Sequence, residues 1–251
     1  MQLQQLSDFC ADYLRISDFK DYCPNGVQVE GVSEVKSIVS GVTASLDLIE
    51  AAIDAKADTL LVHHGYFWKG EPSVITGFKA RRIRSLINNN LNLLAYYLPL
   101  DAHPVIGNNA QIANIMGWEV QGTFASVGVH DIVFHTTLAS PITLDDLTSM
   151  IADKLNAKPL SLMAGDKPIS RIAWCTGAAQ SYIDQAADRG FDVFISGKVS
   201  ENTFHYAKEC GIHYIAAGHH ATERYGVQAL GRLIAEQFSV KHQFIDIPNP
   251  V

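Results

Sequence analysis

The sequence predicts an α/β protein built from two interlinked α/β domains with mainly parallel sheets. Three observations carry this expectation. Short, nearly continuous apolar runs alternate with longer runs whose apolar residues recur at helical spacing. That alternation occurs twice, once in each half of the chain. No low-complexity or Pro/Ser-rich linker separates the halves, so they read as interlinked rather than strung in tandem. With 251 residues, 47% of them hydrophobic, the chain can bury a substantial core.

In the first half, "VKSIVSGVT" (35–43) reads as a strand and "SLDLIEAAIDAKA" (45–57) as a helix capped by Ser45. "DTLLVHHG" (58–65) is a second strand, "KARRIRSLINNN" (79–90) a helix with a basic face, and "LNLLAYYLPL" (91–100) a third strand. "HDIVFHTTL" (130–138) and the helix "TLDDLTSMIADKL" (143–155) precede the second run and are expected to complete its sheet. That run is "RIAWCTG" (171–177), "QSYIDQAADRG" (180–190), "FDVFISG" (191–197), "ENTFHYAKECG" (201–211) and "IHYIAAG" (212–218). A long helix (220–238) and a last strand "HQFIDI" (242–247) close the chain. An offset of 134 aligns Asp58 with Asp192, Asp54 with Asp188 and Ile49 with Ile183, as an internal duplication or the shared physics of strand–helix–strand units would both produce. The domain division read from this pattern is 1–122 plus 221–251 for the first domain and 123–220 for the second.

A formal net charge of −7 argues against nucleic acid as a partner, the "KARRIR" helix being the one basic candidate. Cys10, Cys23, Cys175 and Cys210 form no Cys-x-x-Cys pair, so neither a zinc knuckle nor a disulfide framework is expected. The first residues lack a basic start and an apolar core, and no apolar run approaches membrane-spanning length. The expectation is a soluble, cytoplasmic protein with no membrane partner.

Ligands gather at the carboxyl ends of strands in open parallel sheets. One strand here ends in His63 and His64, another runs through Leu98-Pro99-Leu100 into Asp101, and a third ends in His219 and His220. Glu223 follows His219 by four residues, which stacks the two on one face of a helix and turns His220 away. Adjacent strand residues face opposite ways, but at a strand end turning through Gly65 both histidines can converge on a two-metal site. Mixed imidazole and carboxylate ligands suit Zn, Fe, Mn or Ni, and the lack of nearby cysteine argues against a structural zinc site. His103 is a candidate general acid or base, and Tyr66 and Trp68 a candidate aromatic wall with Lys69 available to a phosphate.

The stretches "DYCPNGVQVEG" (21–31), "VTAS" (42–45), "VHHGYFWKG" (62–70), "LPLDAHPVIGNNAQ" (98–111), "AWCTGAAQSYID" (173–184) and "AGHHATER" (217–224) closely resemble the NIF-three-like proteins, also called GTP cyclohydrolase I type 2 homologues. The resemblance covers nearly the whole chain and is weakest over 124–170. It implies a dinuclear metal site between the two domains, with His63, His64, Asp101, His219 and Glu223 as ligands and Glu223 as the bridge. It also implies protomers assembled into a toroidal hexamer. Two departures from the family pattern stand at Tyr97, where a histidine is usual, and at Lys198, where an acid is usual. The implied activity is metal-dependent hydrolysis of a nucleotide or phosphate-bearing small molecule. A non-catalytic metal-binding assembly or regulatory protein is the alternative, with a site closed to water. For the assembly, light scattering is expected to give a mass several-fold above 27.5 kDa; a stable monomer would reject the ring.

Overall fold

The computed structural model describes all 251 residues, Met1–Val251. In chain order the elements are α1 (Leu3–Tyr13), β1 (Gly26–Val29), β2 (Ser37–Thr43), α2 (Leu46–Asp54), β3 (Thr59–His64), α3 (Gly77–Asn88), β4 (Asn92–Ala95), α4 (Leu98–Ala102) and α5 (Asn108–Met116). They continue with β5 (Gly122–Val127), β6 (His130–Ile142), α6 (Leu144–Leu155), β7 (Leu160–Leu162), β8 (Ile169–Cys175), α7 (Ile183–Asp188), β9 (Val193–Ser196), α8 (Glu201–Cys210), β10 (His213–Ala216), α9 (His219–Phe238) and β11 (Lys241–Phe244). No helix is long and apolar enough to cross a membrane.

The chain forms two compact units. The first comprises Met1–Ile106 and Gly226–Pro248 and holds a five-stranded sheet in the order β1-β4-β3-β2-β11. All its neighbours are parallel except the edge strand β1. Its strands read as apolar runs because both faces are covered. Ile38, Leu61 and Leu94 point into a core with α1 and the later turns of α9, whereas Val39, Leu60, Val62 and Leu93 point into a core with α2 and α3. Ser45 caps α2, its hydroxyl accepting the Leu48 N–H at 3.2 Å. In α3, Lys79 is buried and paired with Glu71 at 3.2 Å, which narrows the basic face expected of that helix.

The second unit comprises Gly107–Tyr225 and Asn249–Val251, with a six-stranded sheet ordered β5-β6-β8-β9-β10-β7. This sheet departs from the expectation of mainly parallel pairing. Only β8-β9 and β9-β10 are parallel; β5-β6, β6-β8 and β10-β7 are antiparallel. Strand β6 follows β5 directly through a short turn, a connection that only antiparallel pairing allows. The unit boundary falls at Ile106/Gly107 instead of 122/123 because α5 is tied to the second unit. Trp174 donates its indole N–H to the Asn109 carbonyl at 3.0 Å, and the Asn109 amide bonds the Thr176 N–H and the Ile132 carbonyl. Trp174 is buried among Ile151, Leu155, Ile172 and Val193.

The parallel triplets of the two sheets share one device. In the first, the Asp58 carboxylate accepts the Lys36 and Ser37 N–H groups at 2.8 and 2.9 Å, and its own carbonyl accepts the Asn92 N–H at 3.0 Å. In the second, Asp192 accepts the Ser170 and Arg171 N–H groups at 2.9 and 2.8 Å, and its carbonyl accepts the His213 N–H at 2.9 Å. The preceding turns also match. The Ala57 N–H donates to the Ala52 carbonyl at 3.0 Å and the Phe191 N–H to the Ala186 carbonyl at 3.1 Å, the two turns being related by the same offset.

Burial alone would raise the Asp192 pKa, but the Lys167 ammonium and the Arg171 and Ser170 amides bring it below the ordinary carboxylate value. A depressed carboxylate stabilises the fold fully above its unfolded pKa, about 3.9, and that contribution disappears as pH falls through the folded value. Asp192→Asn is therefore expected to cost roughly 1–3 kcal/mol in urea unfolding at neutral pH. The difference from the parent should vanish in strong acid; an equal difference at both pH extremes would contradict the assignment.

Candidate metal centre

In the first unit, β3 delivers His63 and His64 at its carboxyl end, and Gly65 turns the chain away. A side chain at Gly65 would come within 2.7 Å of the Ala95 Cβ, so the strand end packs tightly. His63 is fully buried and its Nδ1 lies 2.9 Å from the Tyr96 carbonyl. A carbonyl accepts only from an N–H, so Nδ1 carries the proton and Nε2 presents its lone pair. That Nε2 stands 3.5 Å from the Asp101 carboxylate. The His64 ring lies 4.6 Å from that of His63, with its Nδ1 3.2 Å from the Thr43 hydroxyl.

Asp101 sits on α4, not at the end of an extended strand. Pro99 occupies the first helical turn, where its missing N–H costs nothing and its fixed φ favours a helix. The "DYCPNG" stretch caps this helix from outside. The Asp21 carboxylate accepts the Leu98 N–H at 3.0 Å and the Asn25 side-chain amide at 2.8 Å, and the Asn25 side-chain carbonyl oxygen accepts the Tyr97 N–H at 2.8 Å. A carboxylate at a helix N-terminus is well placed electrostatically.

In the second unit, α9 begins at His219, which puts His219 and Glu223 four residues apart on one helix. His219 Nε2 and the Glu223 carboxylate are 3.0 Å apart, one turn from each other. The Thr222 hydroxyl contacts the Gly218 and His219 carbonyls at 2.9 Å and accepts the Gly177 N–H at 3.1 Å, tying the helix start to the end of β8. Gly177 has a φ of +68°, and a Cβ there would overlap the Glu223 carboxylate and come within 3.3 Å of His219 Nε2. Gly197 is equally confined, a Cβ falling 2.7 Å from the His219 Cα.

Donors in one coordination shell at 2.0–2.2 Å from an ion lie roughly 3–3.5 Å apart. The imidazole–carboxylate pair of each unit meets that spacing, at 3.5 Å for His63 with Asp101 and 3.0 Å for His219 with Glu223. His220 follows at the helix start, its backbone N–H donating to the Val251 carbonyl at 3.1 Å. Lys198 is half-buried, its backbone carbonyl accepting the Tyr214 phenol. Tyr97 stands against the site, its ring 5.1 Å from His63 and 5.8 Å from His64.

His103 leaves α4 as a turn-forming residue. Its Nδ1 accepts the Val105 and Ile106 N–H groups at 3.2 Å, and its ring stacks on Tyr13 at 4.8 Å. Burial lowers its pKa, partly offset by a hydrogen bond to the Tyr13 backbone. Tyr66 is an anchor and not part of an aromatic wall: it is buried, with its phenol on the Ala44 carbonyl at 2.7 Å. Sequence reasoning named neither Gly177, Thr222 nor the Asp21–Asn25 cap as supports, although the glycine of "CTG" and the threonine of "HHATER" were visible signals.

A family model described as Duf34/NIF3 (NGG1p interacting factor 3) matches residues 1–250. A Pseudomonas aeruginosa protein named GTP cyclohydrolase 1 type 2 homolog is 54% identical over 238 residues, covering 95% of this chain and 94% of the relative. A Vibrio cholerae protein of the same name is 56% identical over 234 residues, with 92% of each chain covered. A solved structure described as "protein ybgI, unknown function" superposes with a TM-score of 0.96 at 46% identity over 100% of both chains.

Gly177→Ala is expected to displace the Glu223 carboxylate and so lower bound metal, measured by elemental analysis, about as much as Glu223→Ala does. His103→Ala should keep full metal content and lose roughly 1–2 kcal/mol of unfolding free energy with its turn bonds. The reverse pattern, metal lost in His103→Ala and kept in Gly177→Ala, would overturn these roles.

Proposed function

Because the chain belongs to the Duf34/NIF3 family, we propose that it binds two divalent ions per chain and hydrolyses a nucleotide or other phosphate-bearing small molecule. The observation that carries this reading is the donor geometry: in each unit an imidazole nitrogen and a carboxylate oxygen are spaced as neighbours in one coordination shell. His63, His64 and Glu223 are moreover a set of side chains able to hold a metal ion together. On this reading Asp101 and His219 would complete the set of residues that holds the ions. The donor types favour Zn, Fe, Mn or Ni. The relatives' name, GTP cyclohydrolase 1 type 2 homolog, points to the same reaction class. Assembly into a ring of six and a cytoplasmic location belong to the same reading.

A pair of divalent ions, when bound, supplies an acidified water and a polarised electrophile. The protein's part is to hold and orient. The Tyr96 carbonyl keeps the His63 proton on Nδ1, so that Nε2 can ligate. The Gly177–Thr222 hydrogen bond fixes the helix start that carries Glu223, and the absence of a Cβ at Gly177 leaves room for the Glu223 carboxylate. Lys69, exposed on the loop after β3, is available to a phosphate. A proton shuttle at His103 would have to give up its turn hydrogen bonds at Nδ1 or its bond to the Tyr13 backbone.

The alternative, a non-catalytic metal-binding assembly or regulatory protein, draws on the depth of the ligands, His63 at 0% and Glu223 at 1% exposure. Elemental analysis with a hydrolysis screen over nucleotides and phosphate esters separates the two. About two ions per chain are expected, most of them lost in the His63→Ala/Glu223→Ala double variant together with hydrolysis. Full metal in that variant would sink the site. Full metal in the parent with no substrate turned over would favour the closed, non-catalytic centre.

A further inference from the structure

We propose that Tyr22, Trp68 and Tyr97 form a subsite for a flat heteroaromatic ring beside His63 and His64. Tyr97 is the hub. Its ring meets Trp68 edge-on at 4.9 Å and 85°, and Tyr22 at 6.5 Å and 71°. The two site histidines flank it at 5.1 and 5.8 Å, and Trp68 lies 6.0 Å from His64. Two rings at right angles make a corner: a planar ligand stacks on one face and presents its edge to the face of the other, both favourable quadrupole geometries.

Packing alone does not account for this cluster. The neighbouring tyrosines that serve the core, Tyr66 and Tyr96, are 5% and 0% exposed. Tyr22 is 58% exposed, while Trp68 and Tyr97 are half-buried, so a large apolar area remains in contact with water. The rings come from three stretches far apart in sequence and are held by hydrogen bonds that do not involve their faces. Asn25 accepts the Tyr97 N–H, the Trp68 indole donates to the Gly65 carbonyl at 3.2 Å, and the Lys69 N–H donates to the Tyr22 carbonyl at 2.7 Å. The result is a preorganised aromatic surface at the carboxyl ends of β3 and β4, where parallel sheets take ligands.

The subsite assigns a substrate class: a phosphate-bearing molecule with a planar heterocycle, in preference to an acyclic or sugar phosphate. As a statement about substrate it rests on the hydrolase reading above, but the ring contacts can be measured without turnover. The test is calorimetric titration of the full chain, metal-loaded and chelator-treated, with guanosine monophosphate, uridine monophosphate and ring-free ribose 5-phosphate. At least one nucleotide should bind about tenfold or more tightly than ribose 5-phosphate, as stacking of one base on an aromatic ring supplies. Tyr97→Leu should erase most of that gain and Tyr97→Phe keep it. Tyr22→Ala, at an exposed position that tolerates truncation, should reduce it. Equal affinity for all three probes, no binding of any, or a gain untouched by Tyr97→Leu and Tyr22→Ala would each overturn the subsite. Elemental analysis of the same samples keeps the readings apart: a ring-dependent gain in protein that binds no metal retains the subsite and rejects the metal centre. Bound metal with no ring-dependent gain does the reverse.

Discussion

An aspartate whose carboxylate accepts two backbone N–H groups sets the register of both sheets. Asp58 and Asp192 each begin a central parallel strand, hold the start of one neighbour through the carboxylate, and hold the other through the carbonyl. Parallel strands lack a hairpin to fix their alignment, so a side-chain lock at the amino end does that work. Everything delivered at the carboxyl ends depends on it. A slip of one residue in β3 would put His64 in the buried place of His63, or His63 in the half-buried place of His64, and leave the other place without an imidazole. The same slip in the second sheet would detach Gly177 from the helix start that carries His219 and Glu223.

Much of this was legible in the sequence, and the reasons differ by residue. His219 and Glu223 were readable because helical spacing is a rigid ruler, and the structure keeps them 3.0 Å apart. Asp101 was readable as a site residue but not as a helical one: "LNLLAYYLPL" is apolar throughout, and periodicity alone cannot separate a buried strand from a strand followed by a buried turn of helix. Helix α1 carries Leu3, Leu6 and Cys10 at helical spacing, continued by Leu14 at its C-cap, a stripe that its glutamine-rich start obscures. The mixed character of the second sheet was not legible. The antiparallel strands β5 and β7 are short and partly exposed, so they lack the apolar runs that announced the central triplet.

The centre also shows how much of a ligand's chemistry lies outside its own side chain. His63 is a usable nitrogen ligand because a backbone carbonyl from the adjacent strand end fixes its tautomer. Glu223 has room because residue 177 has no Cβ. Neither dependence is visible in a residue-type search, since a carbonyl belongs to every residue and a glycine offers no functional group. His103 teaches the converse. Its residue type invites a role in proton transfer, but its Nδ1 is engaged in a turn.

The first unit is made of two stretches of chain, with the whole of 107–225 between them. Its edge strand β11 pairs with β2, and Val227, Leu230 and Ile234 of α9 fill one of its two cores. During synthesis on the ribosome, residues 1–106 emerge first yet lack that strand and that side of their core. The second unit has all six of its strands by residue 216, before β11 has left the tunnel. The first unit can therefore complete its sheet only after the second has all its strands, and until then Leu61, Leu94 and Tyr96 lack part of the core that covers them.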